Sequence, residues 1–132
     1  MSLATKTNAS ELLIVDDSTA IRMLLKEIIA LGNIKKKIIE ADNGVDAVKL
    51  FQQYKPDLII LDIFMPRADG LQVLQAMSKI NKRAKIIITT ASENIKFAEQ
   101  SKNHYRISGV LLKPFTKQYA LQIINQVMNQ PW

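Results

Sequence analysis

"ELLIVDDSTAIR", residues 11–22, runs four apolar residues, Leu12 to Val15, straight into two adjacent carboxylates, Asp16 and Asp17. A buried strand that ends on like charges either opens a solvated turn that caps the next helix, or waits for a cation. The rest of the chain decides between these. Four more short segments suit strands: Lys37–Glu40, Leu58–Leu61, Lys85–Thr89 and Val110–Leu112. Three of the five are near-continuous apolar runs, as strands covered on both faces of a parallel sheet must be.

Between these segments the apolar spacing changes to that of helices. Ile21, Leu24, Leu25, Ile28 and Ile29 follow i, i+3, i+4, i+7, i+8, with Gly32 as the stop. Val45–Tyr54, Leu71–Ile80, Asn94–Ser101 and Lys117–Asn129 are the other helical segments, and Asp69-Gly70 and Ser92 suit helix starts. Five βα units predict an open, doubly wound α/β fold with a five-stranded parallel sheet in the order 2-1-3-4-5. Residues 1–10 read as a flexible leader and 11–130 as one domain, with no linker, repeat or low-complexity tract.

In such a sheet, ligands gather at the carboxyl ends of the strands, at the switch point between the first and third. The first ends at Asp16-Asp17 and the third at Asp62, in "LIILDIFMPRADG". Thr90 closes "KIIITTAS" and Lys113 closes "GVLLKPF" at the same edge. Three carboxylates, a hydroxyl and an ammonium group therefore converge on one crevice, which a simple turn would not require. Two unit charges ~4 Å apart interact by ~4 kcal/mol at an effective dielectric constant near 20, a repulsion that a divalent cation relieves. All-oxygen donors and the absence of cysteine point to a hard ion, Mg²⁺ above all. Nucleophile, metal, ammonium and hydroxyl donor together suit phosphoryl transfer to a carboxylate.

Composition sets the outer bounds. The 132 residues, 48% hydrophobic, suffice for one sizeable core, and zero cysteines fit a reducing cytoplasm. No apolar run approaches the ~20 residues of a membrane span, and "MSLATKTNAS" lacks an apolar signal region. The net charge of +6 gathers at Lys35, Lys36 and Lys37, and at Lys79, Lys82, Arg83 and Lys85. No aromatic residues interleave with these lysines, so they read as solvated helix ends and loops rather than a nucleic-acid face.

"IVDDS", "EADNGVDAV", "LDIFMPRADG", "ITTAS" and "LLKPF", in this order and spacing, resemble the response-regulator receiver domain, the CheY-like phosphoacceptor module of two-component signalling. The resemblance covers the chain after the leader. It implies that Asp62 takes phosphate from a histidine kinase or phosphotransfer protein. It also implies that Asp17 binds Mg²⁺ directly, Asp16 largely through water, and that the backbone carbonyl of Phe64 completes the protein ligands. Of the adjacent Thr89 and Thr90, Thr90 would be the switch hydroxyl, because the small Ala91 follows it directly as in the family, and Lys113 would pair with the phosphoryl group. Pro114 stands where the family often has a cis peptide bond. The output surface would be the fourth helix, fifth strand and fifth helix.

Other residues read as structural. Pro66, Asp69 and Gly70 form the turn into the third helix, Gly44 is a backbone turn, and His104 lies on the surface. Two departures from the family pattern stand out. Val110 replaces the aromatic residue that swings inward on activation, and Tyr105 is out of register to substitute for it. Phe64, large and apolar, stands two residues after Asp62, and Ser92 two after Thr90, along the path of the hydrolytic water; Phe64 is expected to slow loss of the phosphoryl group.

Three competing readings meet named obstacles. A Mg²⁺-dependent aspartyl phosphatase of the haloacid dehalogenase type wants a second Asp where Phe64 stands. A flavodoxin-like FMN binder needs a phosphate loop where Asp16-Asp17 would repel phosphate. An unphosphorylated basic adaptor, touching nucleic acid, would not need the intact acidic cluster.

Overall fold

The computed structural model describes residues 10–65, 70–102 and 105–132. Five strands, β1 (Glu11–Val15), β2 (Lys37–Ala41), β3 (Leu58–Asp62), β4 (Lys85–Ala91) and β5 (Gly109–Lys113), form one parallel sheet in the order β2-β1-β3-β4-β5. They alternate with helices α1 (Thr19–Leu31), α2 (Gly44–Tyr54), α3 (Gly70–Ile80), α4 (Ile95–Ser101) and α5 (Lys117–Met128). The expected fold class and strand order are those observed.

Side-chain alternation along each strand divides the core into two layers. Leu13, Val15, Ile59, Leu61, Ile86 and Ile88 pack with Phe51 of α2, Leu74 and Met77 of α3 and Ala98 of α4. Leu12, Ile14, Leu58, Ile60, Ile87 and Leu111 pack with Leu25, Ile28 and Ile29 of α1 and Ile124 and Val127 of α5. β3, the central strand, is buried throughout, which explains its unbroken apolar run.

Local chemistry fixes the helix starts. Ser18, Asn43 and Thr116 cap α1, α2 and α5, each side-chain oxygen accepting a backbone N–H three residues on. Gly44 is thus the first helical residue of α2, not a separate turn, because Asn43 already satisfies the free amide of Asp46. Ser92 opens a short 3₁₀ turn, Ser92–Asn94, without a capping bond from its side chain, and α4 begins only at Ile95. Gly70 opens α3 as read. A Cβ there would lie 2.4 Å from the Ile63 carbonyl oxygen, so only glycine lets α3 approach the end of β3 this closely. Pro66, Asp69 and His104 lie outside the described residues.

The reading of the lysines as solvated fails at two positions. Lys85 is 1% exposed; its Nζ donates to the carbonyls of Val127 (2.8 Å), Met128 (3.4 Å) and Gln130 at the end of α5, and lies 3.6 Å from the Trp132 ring centroid. Lys36 pairs with Asp57 at 2.8 Å and also bonds Ser10 Oγ at 2.7 Å. Carbonyls left free by the last turn of a helix, and the negative end of its dipole, accommodate an ammonium that water no longer reaches.

Candidate phosphoacceptor site

Asp16 continues from the end of β1 and Asp62 closes β3, so the pairing of these two strands brings their side chains to one crevice. Asp16 is 1% and Asp62 5% exposed, while Asp17 faces solvent. Oxygen atoms of all three carboxylates lie within 4.8 Å of one another, the convergence expected from the strand order.

Each buried carboxylate is held on two sides. Asp16 accepts from the Ser18 backbone N–H at 2.9 Å and from Lys113 Nζ at 2.8 Å. Asp62 accepts from the Phe64 backbone N–H at 3.0 Å and from Lys113 Nζ at 3.1 Å. One ammonium thus bridges the two carboxylates. Burial alone would push the Lys113 pKa down, but hydrogen bonding to Asp16 and the charges of Asp62 and Asp16 outweigh it and hold the pKa above the usual lysine value. The Lys113–Pro114 peptide is cis, as the resemblance implied.

The strand register separates the two adjacent threonines. Thr89 stands opposite Asp62, and Thr90 one step farther along, opposite Leu112. By alternation Thr89 shares the face of Asp62, whereas Thr90 shares the opposite face with Val110, which packs into the α2–α3–α4 layer. Both hydroxyl oxygens are buried, with no hydrogen-bond partner among the described residues. Ser92 lies just beyond, in the 3₁₀ turn. Tyr105 packs into the same layer as Val110.

Phe64 projects outward, 46% exposed, and meets Phe97 of α4 edge to face, with ring centroids 5.0 Å apart and an interplanar angle of 63°. Neither this contact nor Arg22 was anticipated from sequence. Arg22 donates to the Asp16 carbonyl oxygen at 2.7 Å and to Glu40 at 3.0 Å, and Lys26 pairs with Glu40 at 2.9 Å. The Lys26 hydrogen bond, assisted by Arg22, outweighs burial and holds the Glu40 pKa below the usual carboxylate value. A signal was present: Arg22 falls one turn beyond the cap of α1, and Glu40 is the one acidic residue of β2, next to its end.

Three hard-oxygen donors in reach of one point suit Mg²⁺, which takes oxygen ligands and leaves positions for phosphoryl oxygens. The fixed Lys113 ammonium suits an anion on the opposite side.

Comparison with known proteins agrees. Residues 12–125 match the family described as the response regulator receiver domain. The chain is 33% identical to the chemotaxis protein CheY of Bacillus subtilis over 92% of its own length and 99% of that protein's. Sporulation initiation phosphotransferase F of the same organism is 34% identical over 70% of this chain and 73% of its own. Among solved structures, the chemotaxis response regulator CheY4 of Vibrio cholerae superimposes with a TM-score of 0.78 at 25% identity, covering 91% of this chain and 99% of CheY4. On sequence, fold and the residues gathered at the sheet edge alike, this chain belongs to the response regulator receiver domain family.

Proposed function

We propose that Asp62 is the phosphoacceptor of a two-component signalling switch, charged by a histidine kinase or a phosphotransfer protein. The observation that carries this reading is the convergence of Asp16, Asp17 and Asp62 on one crevice with Lys113 bridging the two buried carboxylates. A carboxylate oxygen of Asp62 attacks phosphorus, the bond from phosphorus to the donor nitrogen breaks, and an acyl phosphate forms. Asp16, Asp17, Asp62 and the Phe64 carbonyl would hold Mg²⁺, which supplies positive charge to the phosphoryl oxygens.

Lys113 then exchanges its bond to Asp62 for a phosphoryl oxygen while keeping Asp16. The Phe64 N–H, already directed at Asp62, stays on that carboxyl group. Thr90 donates its buried hydroxyl, which has no partner among the described residues, to the phosphoryl group, a bond that draws β4 and the segment leading into α4 toward the site. With Val110 in place of an aromatic residue, the response passes to the α4–β5–α5 surface by another side chain. A downstream protein that reads that surface completes the switch.

The chain acts on no substrate beyond its own phosphorylation and dephosphorylation. No helix among the described residues is long and apolar enough to cross a membrane, and cytoplasmic signalling suits the cysteine-free sequence. The buried Lys85 and the paired Lys36 leave less of the basic charge free for nucleic acid than the sequence suggests.

Intact-mass spectrometry after incubation with acetyl phosphate tests the proposal. One phosphoryl group gained by the wild type in Mg²⁺, and none in chelator or by Asp62→Ala, is the expected result. Folded wild-type protein that gains nothing would overturn it and favour the basic adaptor.

A further inference from the structure

Phe64 touches the site and α4 at once. Its N–H donates to Asp62 at 3.0 Å, and its ring packs edge to face on Phe97, 5.0 Å between centroids. Phe64 is 46% exposed, and a phenylalanine that open to solvent exchanges among rotamers unless a neighbour holds it. Phe97 is itself anchored. It packs against the α2–α3–α4 core layer, and Ser101 Oγ donates back to its carbonyl at 2.9 Å, tying that turn of α4 together.

We propose that Phe97 is a positioning residue for the reaction at Asp62, acting through the ring of Phe64 to set the lifetime of the acyl phosphate. This rests on Asp62 being the phosphoacceptor, and it extends that reading to a residue on another element. Hydrolysis requires a water oxygen to attack phosphorus. The bond from phosphorus to the carboxyl oxygen breaks, its electron pair returns to Asp62 as carboxylate, and inorganic phosphate leaves. With its N–H on Asp62 and its ring half exposed, Phe64 braced by Phe97 keeps water from that approach, whereas an unbraced ring swings away and admits it.

The same brace ties the site to α4 where Val110 offers no aromatic ring. α4 is a seven-residue helix whose start carries no side-chain capping bond, and any shift of it carries Phe97 with it. By linkage, a partner that shifts α4 alters the stability of the phosphorylated state, and phosphorylation alters the partner's affinity by the same factor.

The test follows the decay of the phosphorylated mass after acetyl phosphate is removed. Phe97→Ala is expected to shorten the lifetime about two- to tenfold, the range that an edge-to-face ring pair supports. Phe97→Tyr, which keeps the ring, should retain the wild-type lifetime, and Phe64→Asn should shorten it. Adding Phe97→Ala to Phe64→Asn should change nothing further, because the brace has nothing left to hold.

An unchanged lifetime in Phe97→Ala, or the same fold-change with and without Phe64, would overturn the proposal. Should Phe97→Ala not fold, Phe97→Leu against Phe97→Tyr decides: equal lifetimes refute it, and a shorter one for Leu supports it. A wild type that never takes up the phosphoryl group refutes the parent reading, a different result from a phosphorylated protein indifferent to Phe97.

Discussion

Lys113 and Lys85 lie at opposite ends of the same sheet, and both lose most of their contact with water, yet they are held in opposite ways. Lys113 closes β5 and faces two carboxylates, at 2.8 and 3.1 Å. Lys85 opens β4 and faces carbonyl oxygens at the end of α5, with the Trp132 ring over it. The charges beside Lys113 hold its pKa above the ordinary value. Burial pushes that of Lys85 below it, Asp57 offsetting only part and the cations Arg106 and Lys36 adding to the fall. A charge buried against charges can be redistributed when a third charge arrives, which is what the proposed phosphorylation of Asp62 requires. A charge buried against dipoles has no such alternative and joins β4 to α5.

Removing Lys113 should break the comparison most severely. Lys113→Met leaves Asp16 and Asp62 buried and uncompensated, and a loss of about 3 kcal/mol is expected in urea denaturation without metal. Mg²⁺ should restore part of it, and phosphoryl uptake should fall about a hundredfold even with the metal. Stability unaffected by this change would mean that the bridging ammonium is incidental.

Lys85→Met comes next. It removes an ammonium bonded to the last carbonyls of α5 and should cost about 2 kcal/mol, with phosphoryl uptake unchanged. A parallel loss of uptake would show that the two ends are not separable.

Titration sharpens the contrast further. The Lys113 pKa is raised, so its contribution is fully present below the unfolded value of 10.5 and is lost as pH climbs through the higher folded value. The Lys85 pKa is lowered, so the folded protein gives up that proton first and its burial penalty fades as pH rises toward 10.5. Denaturation measured from about pH 8 to 11 should therefore lose its rising component in Lys85→Met. The smallest effect belongs to Trp132→Ala, about 0.5–1 kcal/mol, because the carbonyl bonds remain when the ring over Lys85 is gone.

The acidic end was legible in the sequence because charged residues stand where apolar strands end. Asp16, Asp17, Asp62 and Lys113 interrupt apolar runs, and the strand order alone brings them together. Nothing local marked the other end. Lys85 sits among Lys79, Lys82 and Arg83, a run that looks solvated, and its partners lie 42 to 45 residues away on a helix end. The contact between Phe64 and Phe97 escaped for the same reason, since α4 has only seven residues and its apolar spacing says little about which side chain it meets. The choice between Thr89 and Thr90 shows a middle case. The sequence offered both, and the register separates them by sheet face while leaving both hydroxyls without partners among the described residues.

Locating the phosphoryl group tests the central claim most directly. Borohydride reduction of phosphorylated protein converts an aspartyl phosphate to homoserine, which peptide mass spectrometry places on the sequence. The account predicts reduction at Asp62 alone, dependent on acetyl phosphate and Mg²⁺. Modification at another carboxylate, or phosphate that survives reduction on a different residue type, would contradict it.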